Sequence, residues 1–313
     1  MKKWLRGAGI LIGVVATAYF AIFAYRTLTT HELRGFLTLP MTGAVALAAV
    51  AYASIIPTTS WAWRRLLSGV GVPSNIWLLN MILGVTQLAK YVPGNVGQYF
   101  GRSAMALQRG IPGRPLFATL ALELALAAMA SIFVGFVALI TCGSGLAISI
   151  PQYGATVKWG GFGLIALFGV ALAILYVQPG ISRRLLGDGP LPPMRVLLYA
   201  FSAYALNYII IGVALFVLAF AVFAPPAGTF PFYIAVFSLS WIAGFVIPGA
   251  PAGLGVREGV MAVLLAPMAS DANALQIIIG FRLATTFGDL LAFAWGGSIY
   301  LGERRRLANG SDT

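Results

Sequence analysis

Six stretches of this chain are apolar and long enough to cross a bilayer as helices: 7–25, 40–60, 115–142, 157–178, 195–223 and 273–301. A membrane-spanning helix needs roughly 20 such residues. Inside hydrocarbon the backbone must satisfy its own hydrogen bonds, which only helices and closed barrels do. Composition agrees with the helical choice. Of 313 residues, 9% are charged and 60% hydrophobic, against about 25% charged in an ordinary soluble domain. So few charges cannot cover a globule in water. That excludes a soluble enzyme, a disordered chain and a secreted disulfide scaffold. The sequence predicts an all-α polytopic membrane protein, a single transmembrane domain over 1–313. The first span follows Lys2, Lys3 and Arg6 as a signal peptide would. It lacks a clear small-residue cleavage site and opens a multi-span chain, so it reads as a retained anchor.

Two further apolar stretches, 75–108 and 230–268, are each interrupted near the middle by Pro-Gly. Each reads as a broken or re-entrant helical hairpin, or as two short spans, and returns the chain to the side it entered from. Basic residues then set the orientation. With a cytoplasmic N-terminus, Lys2, Lys3, Arg6, Arg64, Arg65, Arg109, Arg114, Arg183, Arg184, Arg195 and Arg304 to Arg306 fall inside. Arg26, Arg34 and Lys158 fall outside, a ratio of 13 to 3. Cytoplasmic loops carry such an excess, so both termini are expected in the cytoplasm. Most of the net charge of +12 is therefore a topology signal and not a nucleic-acid patch. Trp61, Trp63 and Trp77 stand near Arg64 and Arg65 and are expected to anchor the inner interface.

The two interruptions resemble each other. One reads Val92-Pro93-Gly94-Asn95-Val96-Gly97-Gln98-Tyr99-Phe100-Gly101-Arg102; the other reads Ile247-Pro248-Gly249-Ala250-Pro251-Ala252-Gly253-Leu254-Gly255-Val256-Arg257. Both have Pro-Gly, seven residues, then Arg, and Pro93 and Pro248 are 155 residues apart (248 − 93). Each half, 1–150 and 151–313, holds two spans, a broken segment and a third span. An odd span number per half inverts the second half. The expected architecture is six transmembrane helices plus two broken hairpins in an inverted-topology repeat, with hinges at Pro93, Gly94, Pro248 and Gly249. Transporters built this way place the substrate site at the repeat interface.

The stretches LAKYVPGNVGQYFGR (88–102) and IPGAPAGLGVREG (247–259) resemble the two signature stretches of the flippase-like transmembrane domain. That domain is the membrane region of bacterial aminoacyl-phosphatidylglycerol synthases and occurs in stand-alone relatives, some proposed to move polyprenyl-phosphate-linked sugars. The resemblance runs from the second span to the C-terminus. Pro248, Gly253, Gly255, Arg257 and Glu258 carry its more specific part. It implies lipid translocation in a bacterial or archaeal cytoplasmic membrane. The synthases continue into a soluble transferase domain, whereas this chain ends at Thr313, so transferase activity is not expected. The partner expected is a lipid with a phosphate headgroup in the bilayer, with a second copy of the chain or a lipid-synthesis enzyme as a further candidate.

Seven charged residues fall within apolar segments: Lys90, Arg102, Glu123, Arg257, Glu258, Arg282 and Asp289. Each costs roughly 2.5–3.5 kcal/mol at mid-bilayer on insertion scales, so they must pair, reach an interface or face water. A half-helix starting after each break would place Arg102 and Arg257 in or near its first turn. Helix N-termini attract anions, and arginine grips phosphate in a bidentate manner. Lys90, Gln98, Gly94, Gly253 and Gly255 complete the expected headgroup site, the glycines allowing close backbone approach. The competing account pairs Arg257 with Glu258 or Asp289, pairs Arg102 with Glu123, and leaves the glycines to pack helices.

Arg282, Thr285, Thr286 and Asp289 recur at i, i+3, i+4, i+7 and must look inward. Thr119 with Glu123, Tyr204 with Asn207 and Tyr208, and Gln87 with Lys90 and Tyr91 form similar stripes. Together they line an expected polar cavity, with Glu123, Glu258, Arg282 and Asp289 as cavity or coupling groups. No nucleotide, dinucleotide or zinc motif occurs. One His and one Cys (His31, Cys142) supply neither a triad nor a metal cluster, so no catalytic residue, metal or cofactor is expected. The leading expectation is a lipid flippase or scramblase. The alternatives are a secondary transporter of a small soluble anion or sugar and a membrane-embedded lipid-modifying enzyme.

Overall fold

The computed structural model describes residues 38–91, 97–142, 191–246 and 255–310, with Gly253 and isolated positions between 163 and 180. The stretch 7–25, most of 157–178 and the hinges Pro93, Gly94, Pro248 and Gly249 lie outside the described residues. Everything regular among them is helical. Four candidate spans, Leu39–Gly69, Gly113–Thr141, Met194–Val222 and Asp271–Arg306, are long and apolar enough to cross a membrane. They coincide with four of the stretches read from the sequence.

Helices α1 (Leu39–Ala53) and α2 (Ile55–Gly69) form one span with a break at Ser54. Pro57 explains the break: it has no N–H to give the Ala53 carbonyl, and its ring crowds that carbonyl. Gly71, at φ 83°, turns the chain after α2. Helix α3 (Ile76–Thr86) starts where Asn75 accepts from the Trp77 N–H at 2.8 Å, an N-cap bond. It tightens into a 3₁₀ turn, Gln87–Tyr91. After the break comes α4 (Gly97–Gln108), then α5 (Gly113–Thr141) and α6 (Met194–Val222). Helix α7 (Phe230–Val246) leads through Gly253 and Gly255, at φ 70° and 80°, into α8 (Val256–Leu265). Both glycines occupy the left-handed region that a side chain disfavours.

Helix α9 (Asp271–Gly310) has 40 residues. At 1.5 Å per residue it runs about 60 Å, twice a hydrocarbon core of about 30 Å. Its far end therefore leaves the membrane, where Glu303 takes Arg109 at 2.6 Å.

Small residues let the helices approach. A Cβ on Gly84 of α3 would lie 2.6 Å from the Ala292 carbonyl oxygen of α9. One on Gly288 of α9 would lie 2.8 Å from the Ala49 carbonyl oxygen of α1. Leu47, Phe117, Phe220 and Phe287 are exposed, while Thr119, Glu123, Glu258 and Asp289 are buried. That inversion of a soluble protein's pattern suits a bundle whose solvent is lipid. The buried hydrophobics among the described residues form two cores. The larger draws on α1, on Ala62 and Leu66 of α2, and on α5 through α9; the smaller draws on α2, α3, α4, the start of α5 and Ala292 of α9. Polar groups gather at the seam between them.

Candidate functional site

The seam encloses a cavity of about 200 Å³. Its wall draws on every stripe that the sequence singled out: Gln87 and Lys90, Glu123, Tyr204, Asn207 and Tyr208, and Arg282 with Thr285. Gln98, Arg102, Gly253 and Arg257 line it as well. Thr119 is fully buried and accepts from the Trp63 indole at 3.2 Å. Asp289 has no exposure and meets the wall through its partners. The side chain of Tyr91 lies outside the described set.

Three ion pairs organise the charges. Arg102 on α4 donates twice to Glu123 on α5, at 2.7 and 2.5 Å. The Arg102 guanidinium also lies 3.9 Å from the centre of the Trp63 ring, a cation–π contact. Lys90 donates to Asp289 at 2.6 Å and to the Tyr52 hydroxyl at 3.0 Å. Gln87 donates to the same Asp289 oxygen at 3.0 Å. Arg282 stands 3.4 Å from one Glu258 oxygen. The other Glu258 oxygen accepts from the Gly255 N–H at 2.8 Å, so a carboxylate of the protein already caps the start of α8. Burial makes these pairs matter: a charge in low dielectric without a counter-charge is expensive.

Arg257 differs from the other cations. It sits second in α8 and lines the cavity. Its Nε is buried and makes no hydrogen bond, as is also true of Arg102, but unlike Arg102 it forms no ion pair among the described residues. The four cations and three carboxylates of the apolar segments thus resolve into three pairs and one remainder, and the remainder is Arg257.

Two expectations about position change. Helix α4 begins at Gly97, so Arg102 falls in its second turn, away from the helix end, and is held by Glu123. Trp63 is not an interface anchor; it is fully buried beneath Arg102, whereas Trp77 is exposed. Sequence reasoning also passed over Tyr52, Thr59, Tyr99 and Trp241, all in the wall. Thr59 and Trp63 stand at i and i+4 on α2, one helix face, and that spacing was the available signal. Among the described residues no three of His, Cys, Asp and Glu converge as metal ligands. Family models give no match to this chain, and a search of curated proteins gives none.

Proposed function

We propose that this protein is a flippase or scramblase for a lipid with an anionic phosphate headgroup, acting in the cytoplasmic membrane of a bacterium or archaeon. The observation that carries the reading is Arg257: a cation in the cavity wall with no protein counter-charge among the described residues. An intramembrane charge is functional by default, and a guanidinium without a carboxylate partner suits a phosphate. Cavity size supports a site for the headgroup alone. About 200 Å³ falls below the roughly 300–1,000 Å³ of pockets that enclose a drug-sized molecule. A headgroup fits, and the acyl or prenyl chains stay in the bilayer.

The finer architecture belongs to the same proposal: six spans, two broken hairpins and an inverted repeat. Element spacing supports it. Leu39 and Met194 open helices 155 residues apart (194 − 39), Ile76 and Phe230 open helices 154 apart (230 − 76), and Gly113 and Asp271 open helices 158 apart (271 − 113). The halves differ where the chemistry is. In the first, the arginine after the break meets a carboxylate, Glu123, from the next span. In the second, the next span brings Arg282, another cation, to the cavity. Arg257 holds the headgroup in the state seen here, and Arg102 takes it in the opposite-facing state, once its pair with Glu123 opens. The resemblance of 88–102 and 247–259 to the flippase-like domain supports the same reading.

A small soluble anion would fit the same volume, and co-purification separates the two. Native mass spectrometry of the purified wild-type chain should show a retained phosphate lipid, and Arg257→Gln should lose it. Equal retention by that variant would contradict the assignment, and retention of a soluble anion alone would favour the transporter reading.

A further inference from the structure

Arg257 is not the only cavity group with spare hydrogen-bonding capacity. The Tyr204 hydroxyl and the Asn207 Oδ1 are buried in the same wall and have no hydrogen-bond partner among the described residues. Both project from one face of α6, at i and i+3. Asn207 is oriented, because its Nδ2 donates to the Thr59 hydroxyl at 3.1 Å and leaves the oxygen turned elsewhere. The wall therefore offers a hydroxyl, a carbonyl acceptor and a cation. Buried polar atoms left unpaired cost stability. A ligand that satisfies them is one that both accepts and donates, as a hydroxyl group does.

The carboxylates give the complementary result. Glu123 has both oxygens on Arg102. Glu258 divides its oxygens between Arg282 and the Gly255 N–H. Asp289 is engaged by Lys90 and Gln87. An ammonium entering the cavity would meet the Arg257 charge and would have to break one of these pairs to find an anion. Aromatic rings are the other natural seat for such a cation. In this wall Trp241 lies parallel to Phe245 at 5.1 Å and takes the Tyr208 ring edge-on at 5.2 Å. Its neighbours are other rings.

We infer that the cavity selects a phosphate headgroup bearing hydroxyl groups and no cationic group, such as a glycosyl or polyol phosphate, over an ammonium-bearing headgroup. The inference rests on the phosphate-lipid reading above and adds its specificity. Arg257 binds the phosphate; Tyr204 and Asn207 read the hydroxyls.

The test uses the full chain in proteoliposomes. Fluorescent phosphatidylglycerol and phosphatidylethanolamine are compared for translocation, and labelled glycerol 3-phosphate and phosphoethanolamine for uptake. Wild-type protein should prefer the hydroxyl-bearing lipid by at least about tenfold, since each lost buried hydrogen bond is worth roughly a factor of ten. Tyr204→Phe should reduce that preference several-fold with little loss of folded protein. Asn207→Asp adds a carboxylate of nearly the same shape, and should narrow the preference for the hydroxyl-bearing lipid over the ethanolamine lipid. Equal rates for the two lipids in the wild type, with Asn207→Asp unchanged, would overturn the specificity and leave the phosphate-lipid reading standing. Movement of neither lipid, with glycerol 3-phosphate taken up in preference to phosphoethanolamine, would keep the hydroxyl selectivity and overturn the lipid as its source. A preference for the ethanolamine form of either probe would overturn the inference.

Discussion

Removing one partner of a buried ion pair costs about 3–5 kcal/mol, because the survivor stays charged and desolvated. Glu123→Leu leaves Arg102 in that position, against the Trp63 ring and with no other carboxylate paired to it among the described residues. Its thermal midpoint in detergent should fall well below wild type, and adding Arg102→Met should recover most of the loss. Arg257→Gln should behave in the opposite way: it removes a cation that has no counter-charge among the described residues, and stability should hold or rise. An equal destabilisation by Arg257→Gln and Glu123→Leu would show that both arginines serve structure. All seven intramembrane charges were legible in the sequence, since a charge within an apolar run stands out. Their pairing was only partly so. The competing account did pair Arg102 with Glu123, 21 residues away, but Lys90 and Asp289 are 199 residues apart. A register between distant helices is not written in either helix alone. Trp63 misled for a related reason: its neighbours Arg64 and Arg65 suggest an interface, while its own helix face points inward.

At the scale of elements, close approach is set by glycines that the sequence marks only as frequent. Gly84→Ala would press a methyl group on the Ala292 carbonyl and on Gly296, which is 2.9 Å away. Forcing extra volume into a packed contact typically costs about 1–3 kcal/mol. Gly43→Ala is the control. No atom lies within 4 Å of its Cβ position, and alanine is the better helix former by roughly 1 kcal/mol. Thermal unfolding of the two variants should move in opposite directions; movement together would contradict this account of the α3–α9 contact. The bounds of the long helices were largely legible, because 20-residue apolar runs leave little choice. The bend at Ser54 was missed: the run 40–60 reads as one span, although Pro57 lies inside it. Helix α9 continues past the apolar run into Glu303 and Arg304, where hydropathy falls while helix propensity stays high.

The described residues form a bundle with an apolar exterior and a polar seam, and the excess of basic residues in the loops read as cytoplasmic is expected to set its orientation. A C-terminal reporter active only in the cytoplasm should be active when fused after α9. Activity of an export-dependent reporter there would reverse the orientation. What could not be read from the sequence is the meeting of the stripes. Four helices each showed a polar face, but only packing places those faces around one cavity and leaves Arg257 without a counter-charge among the described residues. On the function proposed above, Arg257 holds a phosphate headgroup as it crosses the membrane. Headgroup translocation by purified protein in liposomes measures it directly. Wild type should translocate the headgroup, and Arg257→Gln should do so at least about tenfold more slowly in protein of unchanged thermal stability. A wild-type rate in that variant would contradict it.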